Sequence, residues 1–153
     1  MPRILILGNG GAGKTWFAHQ LRQKLNIKII HLDALYWKEG WQHTSKEVWE
    51  KSLQNAMEGQ HWIMEGTQMR DLELRMIAAD QIIFLDTPRS ICLWRIFKKG
   101  LVRNTTTRLP DGCPIRGISW RSLKWVYFFP IRHKPKIFEL IKKLKKTWIK
   151  LID

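Results

Sequence analysis

The most constraining feature of this chain is a glycine-rich loop between an apolar run and a helical pattern. Residues 3–7 (RILIL) are apolar and predict a buried strand. Residues 14–25 predict a helix, since Phe17, Leu21 and Leu25 recur every four residues. Four glycines fall within the six residues 8–13 that separate them. A strand, a tight loop and a helix in this order favour an α/β fold with a parallel sheet.

Residues 8–15 read GNGGAGKT and match the phosphate-binding pattern G-x-x-x-x-G-K-[ST]. Glycines let successive backbone N–H groups turn inward around an anion, and the following helix N-terminus adds partial positive charge. We expect Lys14 to reach the β- and γ-phosphates of ATP or GTP and Thr15 to offer its hydroxyl to Mg²⁺. Trp16 either lies under the nucleotide or fills the core. The candidate nucleotide-binding residues are Gly8, Asn9, Gly10, Gly11, Ala12, Gly13, Lys14, Thr15 and Trp16.

Three further predicted strands each end in an acid. The strands are residues 27–33, 61–65 and 81–86, and the acids are Asp33, Glu65 and Asp86. Because ligands bind at the carboxyl ends of parallel strands, these acids should lie near the glycine loop. One could hold Mg²⁺, and one could accept a proton from a substrate hydroxyl. The competing interpretation is that each acid caps a turn or a helix, and it is strongest for Asp86, which Thr87 and Pro88 follow.

Basic and aromatic side chains supply the remaining candidates. Five arginines follow the fourth strand, at Arg89, Arg95, Arg103, Arg108 and Arg116. They form either a lid over the transferred phosphoryl group, at about 100–118, or a solvated basic face; we take Arg95, Arg103 and Arg108 as catalytic. Arg70 precedes a short predicted helix at about 71–78 and Arg75 lies within it; they either bind an anionic ligand or pair with Asp71 and Glu73. The predicted loop 34–43 carries Tyr36, Trp37 and Trp41, which either stack on the acceptor or pack together.

Positive charge is concentrated in the last 65 residues of this 153-residue chain. Residues 1–88 hold ten Lys/Arg and ten Asp/Glu, whereas residues 89–153 hold seventeen against three, which accounts for the net charge of +14. This asymmetry indicates an anionic partner: nucleotide phosphates, nucleic acid or a membrane surface. The sequence has no recognisable nucleic-acid motif, no CxxC pair and no long apolar run, so a cytoplasmic protein is the simplest interpretation.

The C-terminal region admits two interpretations at two places. Residues 120–128 and 135–146 predict helices, and residues 147–152 (TWIKLI) are either a fifth strand or the end of the last helix. In the last helix an apolar stripe is surrounded by lysines, and it consists of Ile137, Ile141, Leu144 and Trp148. The stripe faces either the core or an anionic membrane, and we favour the core.

Several stretches together resemble the DNA topology modulation proteins (FlaR-like), which are similar to adenylate kinase and other small P-loop kinases. They are GNGGAGKT, HLDALYWKEGW, WIMEGT, LELR, DQIIFLDTPRSICLWRIFKK and GCPIR, and the resemblance covers about residues 3–145. It implies a single domain with a nucleoside-monophosphate-kinase-like three-layer sandwich, a parallel sheet in the order 2-3-1-4-5 and an arginine-bearing lid.

The same resemblance implies roles for individual residues. ATP or GTP with Mg²⁺ would lie at Gly8–Thr15, and Asp33 falls where the kinases meet the phosphate acceptor. Glu65 falls on the aspartate that supports magnesium in those kinases, so its side chain is one carbon longer. Residues 95–108 fall on the lid. The kinases usually continue past a fifth strand into a last helix, whereas this sequence stops at residue 153.

The sequence therefore predicts transfer of the γ-phosphate of ATP or GTP to a small acceptor, such as a nucleoside, a nucleotide or a similar metabolite. The acceptor would meet Asp33, Tyr36, Trp37, Arg70 and Arg75, and the metal would meet Thr15 and Glu65. The alternative is a nucleotide-binding regulatory protein that binds DNA through its basic C-terminal half and has no such kinase activity.

Overall fold

The computed structural model describes residues 2–101 and 119–152. Within these ranges seven strands and seven α-helices follow one another. The strands are β1 (Arg3–Gly8), β2 (Ile29–His31), β3 (Trp37–Lys38), β4 (Gln42–His43), β5 (Trp62–Glu65), β6 (Gln81–Leu85) and β7 (Trp148–Leu151). The helices are α1 (Lys14–Leu25), α2 (Leu32–Tyr36), α3 (Lys46–Met57), α4 (Leu72–Ala78), α5 (Arg89–Leu101), α6 (Trp120–Arg132) and α7 (Lys134–Leu144).

Five strands form one parallel sheet in the order β2-β5-β1-β6-β7. Counted along the chain within this sheet, the order is 2-3-1-4-5, so the predicted topology is confirmed. Residues 147–152, which the sequence left open between strand and helix, form β7 at the edge beside β6. The two short strands β3 and β4 form a separate antiparallel hairpin.

Helices cover both faces of the sheet because successive strand residues point to opposite sides. In β1, Leu5 and Leu7 pack on the side of α3, α4 and α7, whereas Ile4 and Ile6 pack on the side of α1 and α5. Helix α6 contributes Phe129 to the first cluster and Val126 to the second. The sheet and its two helix layers are the predicted three-layer sandwich.

The apolar stripe of the last helix faces this core. Ile137 and Ile141 are buried in the cluster on the α7 side, Leu144 packs against that cluster, and Trp148 contacts Phe138. The favoured interpretation of the stripe is therefore confirmed, and it leaves the lysines of α7 on the solvent side. Among the described residues no helix is long and apolar enough to cross a membrane.

The chain around Asp33 differs from its prediction. The second strand ends at His31, and Leu32–Tyr36 forms helix α2, so Asp33 lies in the first turn of that helix rather than at a strand end. The aromatic segment expected to be a loop is the end of α2 followed by the β3–β4 hairpin. Propensity did not show this hairpin because its strands are two residues each and its turn holds Gly40 and Trp41 at positive φ.

Candidate functional site

The glycine loop connects β1 to α1 in a shape that only glycine fits at key points. Gly11 has φ 78° and Gly13 has φ 88°, both in the left-handed region that favours glycine. A Cβ on Gly11 would lie 2.6 Å from the carbonyl oxygen of Cys92 in α5. The loop therefore packs its backbone directly against α5, which fixes where its N–H groups point.

Two side chains, those of Asn9 and Thr87, also hold the loop. Asn9 is buried, donates from Nδ2 to the Val126 carbonyl at 2.9 Å, and accepts from the Gly10 N–H at 2.8 Å. Thr87 donates its hydroxyl to the Ala12 carbonyl at 3.2 Å. The loop is thus pre-shaped before any ligand arrives, which lowers the entropic cost of binding an anion.

Lys14 lies folded back on the loop. Its Nζ donates to the carbonyl oxygens of Gly8 at 3.1 Å and Asn9 at 2.7 Å. Burial lowers the pKa of Lys14, and the charges of Glu65 and Asp33 oppose that shift. Both acids therefore lie close enough to influence the ammonium group.

The metal side is a chain of contacts that ends on Glu65. Thr15 donates its hydroxyl to Glu65 Oε1 at 3.1 Å, and His31 Nδ1 lies 2.7 Å from the same oxygen. Burial alone would raise the pKa of Glu65, but the hydrogen bonds from His31 and Thr15 and the charge of Lys14 outweigh it and lower that pKa. The result is an ionised, nearly buried carboxylate beside a hydroxyl, a set of hard oxygens that suits Mg²⁺.

Asp33, the predicted acceptor carboxylate, is exposed. Its Oδ1 accepts a hydrogen bond from Gln68 Nε2 at 3.0 Å. The preceding residue, Thr67, donates its hydroxyl to the Gly8 carbonyl at 2.6 Å and accepts from the Gly8 N–H at 3.1 Å. The segment after β5 therefore ties Asp33 to the glycine loop.

Of the two candidate arginines after β5, only Arg70 is exposed. Arg75 is completely buried and donates from Nη2 to the carbonyls of Gln68 and Arg70. Burial lowers its pKa to about 10, against the opposing charge of Asp71. In this arrangement Arg75 supports the backbone beside Gln68 and does not present its guanidinium to a ligand. Glu73, which the sequence suggested as another partner of these arginines, pairs with Lys143.

The aromatic residues after Asp33 form a half-buried cluster. Tyr36 contacts the rings of Trp37, His43 and Trp49 at centroid distances of 5.0, 4.9 and 5.6 Å. Trp37 also contacts Trp41 at 5.4 Å. Much of the ring surface of Tyr36 and Trp37 is thus used for packing, as the competing interpretation expected.

A cleft of about 570 Å³ opens beside the glycine loop, on the α5 side. Trp16 forms one wall with its side chain 67% exposed, so it does not fill the core. Arg95 forms another wall, and its Nη1 lies 3.5 Å from the Gly11 carbonyl. The cleft is lined by Ala12, Gly13, Trp16, Phe17, Leu85, Thr87, Arg95, Leu151 and Ile152. Arg103 and Arg108, predicted for the lid, lie outside the described residues.

The contacts of Asp86 are ion pairs between elements of the fold rather than contacts within the candidate site. Lys134 Nζ lies 2.6 and 2.8 Å from its two carboxylate oxygens, and Lys150 Nζ lies 2.9 Å from one of them. These ion pairs join the end of β6 to α7 and β7. The non-catalytic interpretation of this acid is the one that its contacts favour.

Four residues near the loop were not predicted as site residues: His31, Thr67, Gln68 and Thr87. One of them could have been found from the sequence. In the strand order 2-3-1-4-5, β2 lies next to β5, and the register pairs His31 with Glu65. Within the described residues there is no cluster of three or more His, Cys, Asp or Glu side chains placed to hold a metal.

Comparison with known proteins supports the fold. The chain resembles the solved structure of shikimate kinase from Acinetobacter baumannii in complex with shikimate, with a TM-score of 0.57. The match covers 99% of this chain and 84% of the other at 18% sequence identity. The chain has the fold of a small P-loop kinase. No family model and no curated protein matches it, so the resemblance to FlaR-like proteins stays a prediction.

Proposed function

We propose that this chain is a phosphotransferase that moves the γ-phosphate of ATP or GTP to a small acceptor bearing a hydroxyl or a phosphate, such as a nucleoside or nucleotide. The observation that carries the proposal is that two carboxylates are tied to the glycine loop: Thr15 donates to Glu65 at 3.1 Å. Asp33 accepts from Gln68, and the threonine before Gln68 is hydrogen-bonded to Gly8. A carboxylate suited to Mg²⁺ and a carboxylate suited to receive the proton of an acceptor would thus both lie beside the phosphate-binding loop. The fold shared with a shikimate kinase supports the same reaction class.

The residues divide the chemistry between them. The N–H groups of the glycine loop would bind the β- and γ-phosphates, and Lys14 would leave its loop carbonyls to neutralise the charge on the moving group. Thr15 and Glu65 would hold Mg²⁺, which neutralises charge on the bridging phosphates when bound. For a hydroxyl acceptor, its oxygen attacks the γ-phosphorus, the bond to the bridging oxygen breaks, and Asp33 receives the proton.

The cleft beside the loop offers a site for the nucleotide base. Trp16 and Arg95 lie on its walls, and both an indole ring and a guanidinium plane stack on a base. Leu85 and Leu151 add apolar surface. This arrangement supports the assignment of Trp16 to nucleotide binding, and we propose that Arg95, which lines the same cleft, also acts on the nucleotide.

The test is a transfer screen with γ-labelled ATP or GTP, Mg²⁺ and pools of nucleosides, nucleotides and small hydroxyl metabolites. A labelled product that disappears in Lys14→Ala would establish the reaction and name the acceptor. Absence of product from every pool, with nucleotide binding that depends on Lys14, would contradict it.

The second candidate is a nucleotide-binding regulatory protein that binds DNA, and the surface of α5 and α6 favours it. These two helices hold seven Lys/Arg and no Asp/Glu, and they expose Trp94, Trp120 and Tyr127. Cations combined with exposed rings suit single-stranded nucleic acid. A shallow groove on α6 is lined by Arg121, Lys124, Trp125, Phe128, Arg132 and His133.

Salt dependence separates the two candidates. DNA binding should weaken steeply as salt rises, and Lys124→Gln should reduce the slope of log K against log salt by about one unit. A salt-independent or undetectable interaction with single-stranded DNA would remove the second candidate.

A further inference from the structure

The end of β2 carries a histidine with a specific partner in the site. His31 is the residue of β2 that pairs in register with Glu65 of β5, and both lie at the carboxyl ends of their strands. Its Nδ1 is 2.7 Å from Glu65 Oε1. The side chains of His31 and Glu65 are only 20% and 9% exposed. The contact is therefore a short, largely water-excluded bond to the carboxylate beside the glycine loop.

Glu65 needs such a partner for a physical reason. A glutamate has three rotatable side-chain bonds, so its carboxylate must be held if it is to face one ligand. Thr15 donates to Oε1, and His31 Nδ1 lies within hydrogen-bond distance of the same oxygen. Thr15, however, is the hydroxyl that is expected to turn to the metal. His31 has no second assigned role in the site. It can therefore keep holding the carboxylate when Thr15 turns to the metal.

The imidazole ring is itself fixed. It stacks near His19 of α1 with a centroid separation of 6.1 Å and an interplanar angle of 27°. Backbone pairing of His31 with β5 fixes its Cα relative to Glu65. Helix α1, β2 and β5 thus converge on one ring orientation, with Nδ1 directed at the carboxylate.

We propose that His31 is a positioning residue that orients the Glu65 carboxylate toward the Mg²⁺ accompanying the nucleotide. His31 contacts neither nucleotide nor acceptor in this role and acts through Glu65. Residues that orient metal-supporting groups typically change metal affinity when they are replaced. The inference rests on the proposed nucleotide site and adds a residue to its metal side.

The experiment measures nucleotide affinity by calorimetry with saturating Mg²⁺ and again with EDTA, at one pH. The ratio of the two affinities is the gain due to Mg²⁺. His31→Leu should lower this gain about tenfold and leave the affinity in EDTA unchanged. His31→Asn should retain most of the gain, because its amide N–H can replace the Nδ1 donor. His61→Leu, an exposed histidine just before β5, is the matched control and should retain the full gain.

Two results would overturn the proposal. The first is an unchanged Mg²⁺ gain in His31→Leu, and the second is an equal loss of affinity with and without Mg²⁺, which would indicate a general structural role.

Nitrogen-15 NMR of the imidazole gives a readout that needs no nucleotide. His31 should carry a proton on Nδ1 in the free protein, and a neutral ring protonated only at Nε2 would also overturn the proposal, because it could not donate to Glu65. If the wild-type chain binds no nucleotide, the proposed function fails, whereas the tautomer still decides whether His31 donates to Glu65.

Discussion

The nucleotide side and the acceptor side of the site are built in different ways. The phosphate-binding part of the nucleotide side is one contiguous segment, residues 8–15, whose backbone conformation makes the proposed binding surface. The acceptor side is assembled from side chains of separate segments, with Asp33 on α2 held by Gln68 and the backbone at Gln68 held by Arg75. A contiguous backbone site can be recognised from spacing alone. A side-chain site depends on contacts between residues far apart in sequence.

The replacement of the acceptor carboxylate should give the largest effect. Asp33→Asn removes the group that takes the proton from an acceptor hydroxyl, so turnover should fall by about 10²- to 10⁴-fold. ATP affinity should change little because we assign Asp33 to the acceptor and not to the phosphates of the nucleotide. Steady-state kinetics and calorimetry on the same preparation check both values. Asp80→Asn, an exposed acid that pairs with Arg3, is the control. Loss of ATP binding with transfer retained would reverse the assignment of the two sides.

The next effect is on nucleotide affinity. Lys14→Ala removes a partly buried cation from the proposed phosphate site, and the dissociation constant for Mg-ATP should rise by about 100-fold or more. Equilibrium binding to a fluorescent ATP analogue measures it, with Lys24→Ala in the last turn of α1 as the matched control. A folded Lys14→Ala protein with unchanged affinity would refute the assignment of the nucleotide side.

A smaller effect on ATP affinity should distinguish Trp16, which we expect to stack on the base, from Trp94, which is only exposed. Trp16→Ala should weaken ATP binding about tenfold, because base stacking on an aromatic ring contributes about 1–3 kcal/mol. Trp94 is similarly exposed, at 63% against 67%, but does not line the cleft. Trp94→Ala should therefore leave ATP affinity unchanged. Equal effects of the two substitutions, measured by calorimetry, would remove Trp16 from the nucleotide side.

The smallest effect on nucleotide binding or turnover is expected for Asp86, which we assign to neither the nucleotide side nor the acceptor side. Asp86→Asn should leave ATP affinity unchanged but lower the free energy of unfolding by about 2 kcal/mol, since it removes the partner of two lysines. Burial opposes ionisation of Asp86, but Lys134 and Lys150 outweigh it and lower its pKa.

The difference in the free energy of unfolding between the wild-type protein and Asp86→Asn should depend on pH, because the pKa of Asp86 is lowered in the folded state. Because the folded pKa lies below the unfolded value, the stabilisation is complete above about pH 4 and is lost as the pH falls through the folded pKa. Urea unfolding of both proteins across this range should show the difference disappearing in acid. A difference that persists in acid would mean that the ion pairs are not its cause.

The sequence determined the fold of this protein and predicted the loop to which we assign the nucleotide. Apolar runs separated by helical patterns predict the parallel sheet, and the spacing of glycines, Lys14 and Thr15 predicts the phosphate loop, because both signals are local. The resemblance to small kinases implied the strand order that the structure confirms. These features depend on backbone geometry that neighbouring residues dictate.

Only the tertiary structure decided how the remaining side chains are used. The packing buries Arg75, which donates to the carbonyl of Arg70, and it pairs Asp86 with two lysines. It leaves Trp16 exposed beside a cleft and brings His31 within hydrogen-bond distance of Glu65. It also ends β2 at His31, so that Asp33 lies in the first turn of a helix. Each outcome depends on which distant segments pack together, since burial and hydrogen-bond partners decide whether a charged side chain faces a ligand or supports the frame.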